Sequence, residues 1–352
     1  MQTQNNGFAA FPVDGTYKIG DTLSFTVDFN DEVAVTGTPR LELSGGKFAT
    51  YDAAASAATL ANGTLVFKYT VAEGDSQANL TIAANGLKQN NGSTIKDVNG
   101  NDATLTLAAF DAAVVVDATR PGVQTENNGF AAVPADRTYK IGDTLSFTVD
   151  FNDEVAVTGA PRLALSGGKF ATYSAADSAA TLAAGTLVFK YTVAEGDSQA
   201  DLTIAADGLA LNGGTIKDVN GNDATLTLAA FDAAVVVDAT RPGVQTENNG
   251  FAAVPADRTY KIGDTLSFTV DFNDEVAVTG APRLALSGGK FATYSAADSA
   301  ATLAAGTLVF KYTVAEGDSQ ADLTIAADGL ALNGGTIKDV NGNDATLTLA
   351  AF

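Results

Sequence analysis

In residues 22–29, Leu23, Phe25, Val27 and Phe29 alternate with Thr22, Ser24, Thr26 and Asp28. That is the two-residue period of a strand with one face in a core and the other in water. The period returns where Leu65, Phe67, Tyr69 and Val71 are separated by Val66, Lys68 and Thr70, and more briefly where Leu41 and Leu43 follow Arg40 and Glu42. Ser44-Gly45-Gly46 and Glu73-Gly74-Asp75 interrupt the runs as turns. Residues 48–51, the positions Leu80, Ile82 and Leu87, and a last segment through Leu105, Leu107 and Val116 add further short strands. About seven or eight strands with turns about every 8 to 12 residues predict an antiparallel β-sandwich. A parallel β-helix is the rival, but its repeats are far shorter. The alanine-rich residues 53–61 carry no sustained apolar stripe of helical period and read as a loop.

The stretch Val114-Val115-Val116-Asp117-Ala118-Thr119-Arg120-Pro121-Gly122 recurs unchanged at residues 235–243. It divides the chain into three sandwich repeats, 1–117, 118–238 and 239–352. The β-branched run reads as a strand, and the proline that follows fixes φ and removes a ladder donor, so the strand ends there. A joint this short and stiff predicts an elongated, semi-rigid rod. Repeats two and three are copies over the residues they share, whereas repeat one departs at places such as Asn85 for Asp207 and Lys88 for Ala210, and has one extra residue near Ser93. Copying a whole module points to number and length as the selected property, as in a spacer. Phe352 is the counterpart of Phe110 and Phe231. The third sandwich is therefore expected to lack the strand matching residues 111–117 and to leave a sheet edge open to strand addition.

Charge and inventory narrow the function. Forty-one acidic against twenty basic residues give a net charge of −21, which disfavours nucleic acid and anionic membrane surfaces as partners and suits hard cations. With no Cys, His or Trp, thiol nucleophiles, serine–histidine triads, zinc sites built on Cys or His, and haem held by His or Cys are excluded. No apolar run approaches the roughly 20 residues of a membrane helix, and Met1-Gln2-Thr3-Gln4 reads as the start of a fragment rather than as a signal peptide. Paired carboxylates could in principle serve a glycosidase, but such a site needs stacking aromatics in a cleft, and triplicate active sites along a rod are hard to rationalise. The expectation is a protein that is not an enzyme. A glycan-binding array using Tyr17, Tyr51 and Tyr69 as platforms is the alternative, although Tyr69 alternates with core residues.

The ordered motifs Asp31-Glu32-Val33, Gly37-Thr38-Pro39-Arg40-Leu41, Tyr69-Thr70-Val71-Ala72-Glu73-Gly74-Asp75, Thr94-Ile95-Lys96-Asp97 with Gly100-Asn101-Asp102, and Val115-Val116-Asp117-Ala118-Thr119-Arg120-Pro121 resemble the bacterial immunoglobulin-like repeats that occur in tandem in very large surface adhesins, including the RTX type. The resemblance spans all three repeats. It implies a secreted or cell-surface extender module, often calcium-stiffened, serving cell adhesion or biofilm formation. Its partners would be neighbouring repeats, with surface glycan or other cells reached through domains outside these residues. The glycine-rich nonapeptide runs of RTX tails do not occur here.

Calcium is the cofactor to look for. The turn beginning at Asp97 has the oxygen ligands that open an EF-hand loop, but Asp102 stands where its glycine belongs and Ala108 where its bidentate Glu belongs. The plain reading is an Asn-Gly turn whose Asx side chains bond their own backbone. If the strands follow immunoglobulin order, stacking brings Glu73, Asp75 and Asp117 of repeat one towards Asp153, Glu154, Asp218, Asn220 and Asp223 of repeat two. The second joint brings Glu195, Asp197 and Asp238 towards Asp274, Glu275 and Asp339. Carboxylates so gathered repel unless a cation sits among them, and six to eight oxygen ligands suit Ca²⁺. A solvated acidic surface with flexible joints is the alternative.

Overall fold

The computed structural model describes residues 4–352; residues 1–3, on which the reading of Met1 as a fragment start rests, lie outside them. Repeat one builds β1 (Phe8–Ala10), β2 (Gly15–Tyr17), β3 (Thr22–Asp28), β4 (Val33–Thr36), β5 (Arg40–Leu43), β6 (Lys47–Tyr51), α1 (Ala53–Ser56), β7 (Thr64–Thr70), β8 (Ser76–Gln77), β9 (Thr81–Lys88), β10 (Thr94–Asp97), β11 (Phe110–Asp111) and β12 (Val114–Asp117). The strands pair as β1-β3-β7-β6-β5-β9-β11, with β2-β12-β8 and β10-β4 closing the other side. The central ladder is β3 against β7, antiparallel from Thr22↔Thr70 to Asp28↔Thr64. Its alternation is the cause of the core: Leu23, Phe25, Val27, Leu65 and Phe67 are fully buried, while Ser24, Thr26 and Lys68 point outwards. The last strand, β12, runs parallel to β2 and antiparallel to β8.

Repeat two reproduces all three sheets, and each of the three repeats encloses its own hydrophobic core. The chain is thus three tandem Ig-like β-sandwiches. Repeat three has the six-stranded and two-stranded sheets, while the three-stranded sheet built on β12 in repeat one has no counterpart among its described residues. The first core runs on through Ala118 and the second through Ala239, so each joint begins one residue beyond the acidic position that ends the strand.

Two elements differ from the sequence reading. The alanine-rich stretch is not a plain loop: Ala53–Ser56 forms one helical turn and Leu60–Asn62 a 3-10 turn. Asp52 caps the first, its Oδ1 accepting the Ala55 N–H at 2.9 Å. Buried Ser56 donates from Oγ to the Asp52 carbonyl at 2.7 Å and accepts the Val66 N–H at 2.9 Å, pinning the turn to β7. A turn held by a hydroxyl has no apolar stripe to reveal it. Leu105 and Leu107 likewise pack on the core without forming a ladder, the Leu107 carbonyl accepting the Asn85 N–H at 2.7 Å.

One difference between copies carries a stability prediction. In repeat one Asn79 Nδ2 donates to Asp111 Oδ2 at 2.9 Å; in repeat two Asp201 takes the asparagine's place against Asp232, and sharing a proton with that carboxylate raises its pKa. A raised folded value means the pair is harmless at low pH and destabilises as pH rises through that value. Asp201→Asn should therefore raise the melting temperature of repeat two at pH 7 and leave it unchanged at low pH, measured by scanning calorimetry.

Candidate functional site at the joints

The turn after β10 is shaped by one carboxylate in every repeat. In repeat one Asp97 Oδ1 accepts the N–H groups of Asn99 and Asn101 at 2.9 and 2.8 Å, and its Oδ2 accepts Asn101 Nδ2 at 2.8 Å. This is the self-bonded Asx turn, with Gly100 at φ +88° allowing it to close. Repeat two repeats the bonds with Asp218, Asn220 and Asn222. The difference between the two copies lies in what covers them. Asn101 is exposed in repeat one, whereas Asn222 is 2% exposed and Asp218 3%, because repeat one lies over them.

Asn222 is the centre of that contact. Its Nδ2 donates to the Asp117 carbonyl at 2.9 Å and to Asp218 Oδ2 at 2.7 Å, and its Oδ1 accepts the Ile19 N–H at 2.9 Å. Asp21 presents that N–H by folding the Lys18–Asp21 turn, its Oδ2 accepting the Lys18 N–H at 2.9 Å. Asn220 Nδ2 donates to Asp117 Oδ2 at 2.6 Å. The second joint is the same: Asn343 donates to the Asp238 carbonyl at 2.9 Å and to Asp339 at 2.7 Å and accepts the Ile141 N–H at 2.9 Å, while Asn341 donates to Asp238 at 2.6 Å.

The linker between these contacts has little slack. Ala118 is clamped by main-chain bonds to the Glu73-Gly74-Asp75 turn, Gly74 N–H to its carbonyl at 2.9 Å and its own N–H to Asp75 at 2.8 Å. The Pro121 carbonyl accepts the Thr225 N–H at 2.9 Å, and Asn152 Oδ1 accepts the Gly122 N–H at 2.8 Å. Between them Arg120 reaches Glu73 at 3.3 Å on one repeat and donates to the Asp223 carbonyl at 3.0 Å on the other. Arg241 joins Glu195 at 3.1 Å and the Asp344 carbonyl at 3.0 Å in the same way.

The residues expected to share a cation are therefore only partly brought together. Asp117, Asp218 and Asn220 meet, as do Asp238, Asp339 and Asn341. Glu73 and Glu195 are engaged by Arg120 and Arg241, and Asp223 by Lys217. Asp75 and Asp197 turn into their own repeats, onto Lys47 at 2.5 Å and Lys169 at 2.6 Å and the hydroxyls of Tyr69 and Tyr191. Asp153, Glu154, Asp274 and Glu275 are exposed, with Asp153 and Asp274 capping the N–H of the residue that follows. Among the described residues no group of three or more Asp, Glu, His or Cys side chains is placed to hold a metal ion. The oxygens gathered at the first joint are those of the Asp117 and Asp218 carboxylates and the Asp117 carbonyl, and the Asn220 and Asn222 N–H₂ groups face them. Residue type alone does not single out Asn222 and Asn343; the sequence signal they carry is their position four residues after the turn-forming Asp.

The turns that grip Ala118 and Ala239 are held by a buried Asp, Asp75 or Asp197, bonded by a half-buried Tyr and a Lys with an exposed side chain. Burial pushes the Asp75 carboxyl up, but the Lys47 ammonium, the Tyr69 hydroxyl and the Ala72 N–H outweigh it and hold it below its ordinary value. In repeat three Lys290, then Tyr312, hold Asp318 at about 2. Burial first, then the bond to the carboxylate, pushes Tyr69 and Tyr191 up to about 12. Depressed carboxyls lend stability that is complete above the ordinary 3.8 and is lost as pH falls towards about 2. Raised tyrosines lend stability that is complete below 10.0 and is lost as pH climbs towards about 12. Melting temperature should accordingly show a plateau between these limits and fall on both sides, and Tyr191→Phe should remove the alkaline limb of repeat two.

No protein-family model and no curated protein sequence matches the chain. Among solved structures it is similar to the three titin domains I67–I69 in an E-to-A variant, with 10% identity, 98% of this chain and 94% of that one covered, and a TM-score of 0.33. It is also similar to the Ig1–Ig2 pair of Dpr2 in complex with DIP-Theta Ig1–Ig3, with 10% identity, 98% and 97% covered, and a TM-score of 0.26. Zebrafish RET cadherin-like domains 1 to 4 match with 9% identity, 91% and 65% covered, and a TM-score of 0.20.

Proposed function

We propose that this chain is a non-catalytic spacer from a bacterial surface adhesin, a run of stacked Ig-like modules that sets a distance outside the cell in adhesion or biofilm formation. The observation that carries the reading is the joint made twice with the same atoms, Asn222 on Asp117 and Ile19, Asn343 on Asp238 and Ile141. A contact that propagates identically from module to module serves length and stiffness. The glycan-binding alternative is less well supported, because Tyr51 is buried edge-on to Phe67 and Tyr69 spends its hydroxyl on Asp75. Binding of this chain on a glycan array would overturn the spacer reading in favour of that alternative.

Calcium enters the proposal as a ligand of the Asp117, Asp218 and Asn220 oxygens, with water completing its six to eight positions. An ion bound only by the folded, stacked state stabilises it by mass action. Melting temperature should rise and the small-angle scattering dimension lengthen in millimolar calcium relative to chelator, and Asp117→Ala should abolish the effect at the first joint while leaving the second. Identical curves with and without calcium would remove the ion from the proposal and leave the asparagine-closed joint standing.

A further inference from the structure

Two asparagines close each joint, and one of each pair stands before a glycine. The first joint reads Asp218-Val219-Asn220-Gly221-Asn222-Asp223, and the second Asp339-Val340-Asn341-Gly342-Asn343-Asp344. A following residue without a Cβ lets its own main-chain nitrogen approach the asparagine side chain, which is the condition for spontaneous deamidation. Asn222 and Asn343 precede aspartates and do not meet it.

The closed joint restrains both partners in that reaction. Asn220 Nδ2 donates across the joint to Asp117 Oδ2 at 2.6 Å, and Asn341 Nδ2 to Asp238 Oδ2 at 2.6 Å. Each glycine is covered from the preceding repeat: a side-chain carbon placed on Gly221 would lie 3.3 Å from Lys18 Cδ, and one on Gly342 3.4 Å from Lys140 Cδ. Lys140 Nζ also donates to the Gly342 carbonyl at 3.2 Å. Within the turn, the Gly221 N–H donates to the Asp218 carbonyl at 3.2 Å. That last bond belongs to repeat two alone, whereas the others exist only while the repeats are stacked. Bringing Asn220 Cγ onto the Gly221 nitrogen draws Nδ2 off the Asp117 carboxylate, so a stacked joint opposes the reaction and an open one releases it.

We propose that Asn220 and Asn341 are deamidation sites gated by the joints, and that their modification opens the joint irreversibly. The Gly221 nitrogen gives its proton to solvent and bonds to Asn220 Cγ; the Cγ–Nδ2 bond breaks, and ammonia leaves with a proton from solvent. Water then opens the cyclic succinimide on one side or the other, leaving aspartate or isoaspartate. The net change is amide plus water to acid plus ammonia, with no oxidation. Either product sets a carboxylate against Asp117 where an amide donated, exchanging a bond to a charged group for repulsion between like charges. Isoaspartate also lengthens the main chain just before Asn222, which must still reach the Asp117 carbonyl and the Ile19 N–H. The array thus keeps a chemical record of each joint that has opened. The inference rests on the joint geometry and not on the spacer reading.

The test ages the 352-residue chain in chelator at mildly alkaline pH and follows conversion at each Asn-Gly step by peptide mass spectrometry. Asp117→Ala should convert Asn220 about tenfold faster than the parent does, the change in rate that loss of one bond to a charged group brings, while Asn341 in the same chain keeps the parent's rate. Asp238→Ala should exchange the two results. Asn212 is an exposed reference before Gly213, its Nδ2 bonded to the Ala160 carbonyl of the same repeat at 3.1 Å; it should convert at one rate in all three chains, showing that repeat two stays folded. Small-angle scattering in chelator should find Asn220→Asp shorter and more flexible than the parent. Equal conversion of Asn220 in the parent and in Asp117→Ala, acceleration of Asn341 by Asp117→Ala, absence of conversion at both joints in every chain, or a parent-like shape for Asn220→Asp would each overturn the proposal.

Discussion

Phe25→Asp should unfold repeat one and leave repeats two and three folded. Phe25 is fully buried in the middle of β3, directly opposite Phe67 on β7, and the ladder on which both stand is the longest in the repeat. The substitution removes an aromatic side chain, at a cost of about 3–5 kcal/mol, and leaves a carboxyl that must either stay charged without a partner or take up a proton. Against a domain stability of about 5–15 kcal/mol the sum is decisive. The loss stays local because each repeat's apolar side chains pack into a core of their own. What crosses the joint is a handful of hydrogen bonds and one arginine, so repeat two would lose its cover over Asp218 and Asn222 but not its core. Hydrogen exchange resolved by repeat is the measurement: full exchange confined to repeat one is expected, and loss of protection in repeat three would show a cooperativity that this packing does not provide.

The parts of the fold that could be read from sequence are those where a single residue period decides burial. The alternation in β3 and β7 gives both the strands and their inward faces, and the Val-Val-Val-Asp before each proline gives the last strand and the joint. What could not be read is held by polar groups acting one at a time. Strand β2 is three residues long with no buried member, and α1 depends on the Asp52 cap and the buried Ser56 hydroxyl. The same distinction divides the joint. Asp117, Asp218 and Asn220 stood out because acidic and Asx residues cluster in turns at the right poles. The neutralising partners did not: Lys47 opens β6, far in sequence from the turn that carries Asp75, and Arg120 reaches back to Glu73 only once the chain has folded. Counting carboxylates thus exaggerates the repulsion that seemed to require a cation. The decisive bond from the Ile19 N–H to Asn222 involves a backbone group, on which the sequence carries no mark.

Asn222→Asp should open the first joint while leaving every repeat folded. The change is nearly isosteric, keeps an oxygen for the Ile19 N–H, and replaces the amide group that donates to Asp218 Oδ2 at 2.7 Å and to the Asp117 carbonyl at 2.9 Å. Two donations are lost, one of them to a carboxylate, and a third acidic group is placed beside Asp117 and Asp218 in a spot 2% exposed. Losing a buried bond to a charged group costs about 1.5–3 kcal/mol, and facing like charges adds to it. The contacts left, the Ile19 N–H to the retained oxygen, Arg120 to Asp223 and Asn220 to Asp117, are too few to hold the stack against that cost. The matched control is built into the chain: Asn101 occupies the same place in repeat one with nothing over it, so Asn101→Asp should leave the shape alone. Small-angle scattering should therefore show a shorter, more flexible particle for Asn222→Asp in chelator than for Asn101→Asp, with unchanged melting of the individual repeats. Millimolar calcium should restore the extended shape of Asn222→Asp if three carboxylates there bind the ion. A variant as extended in chelator as the parent would show that the asparagine does not hold the joint.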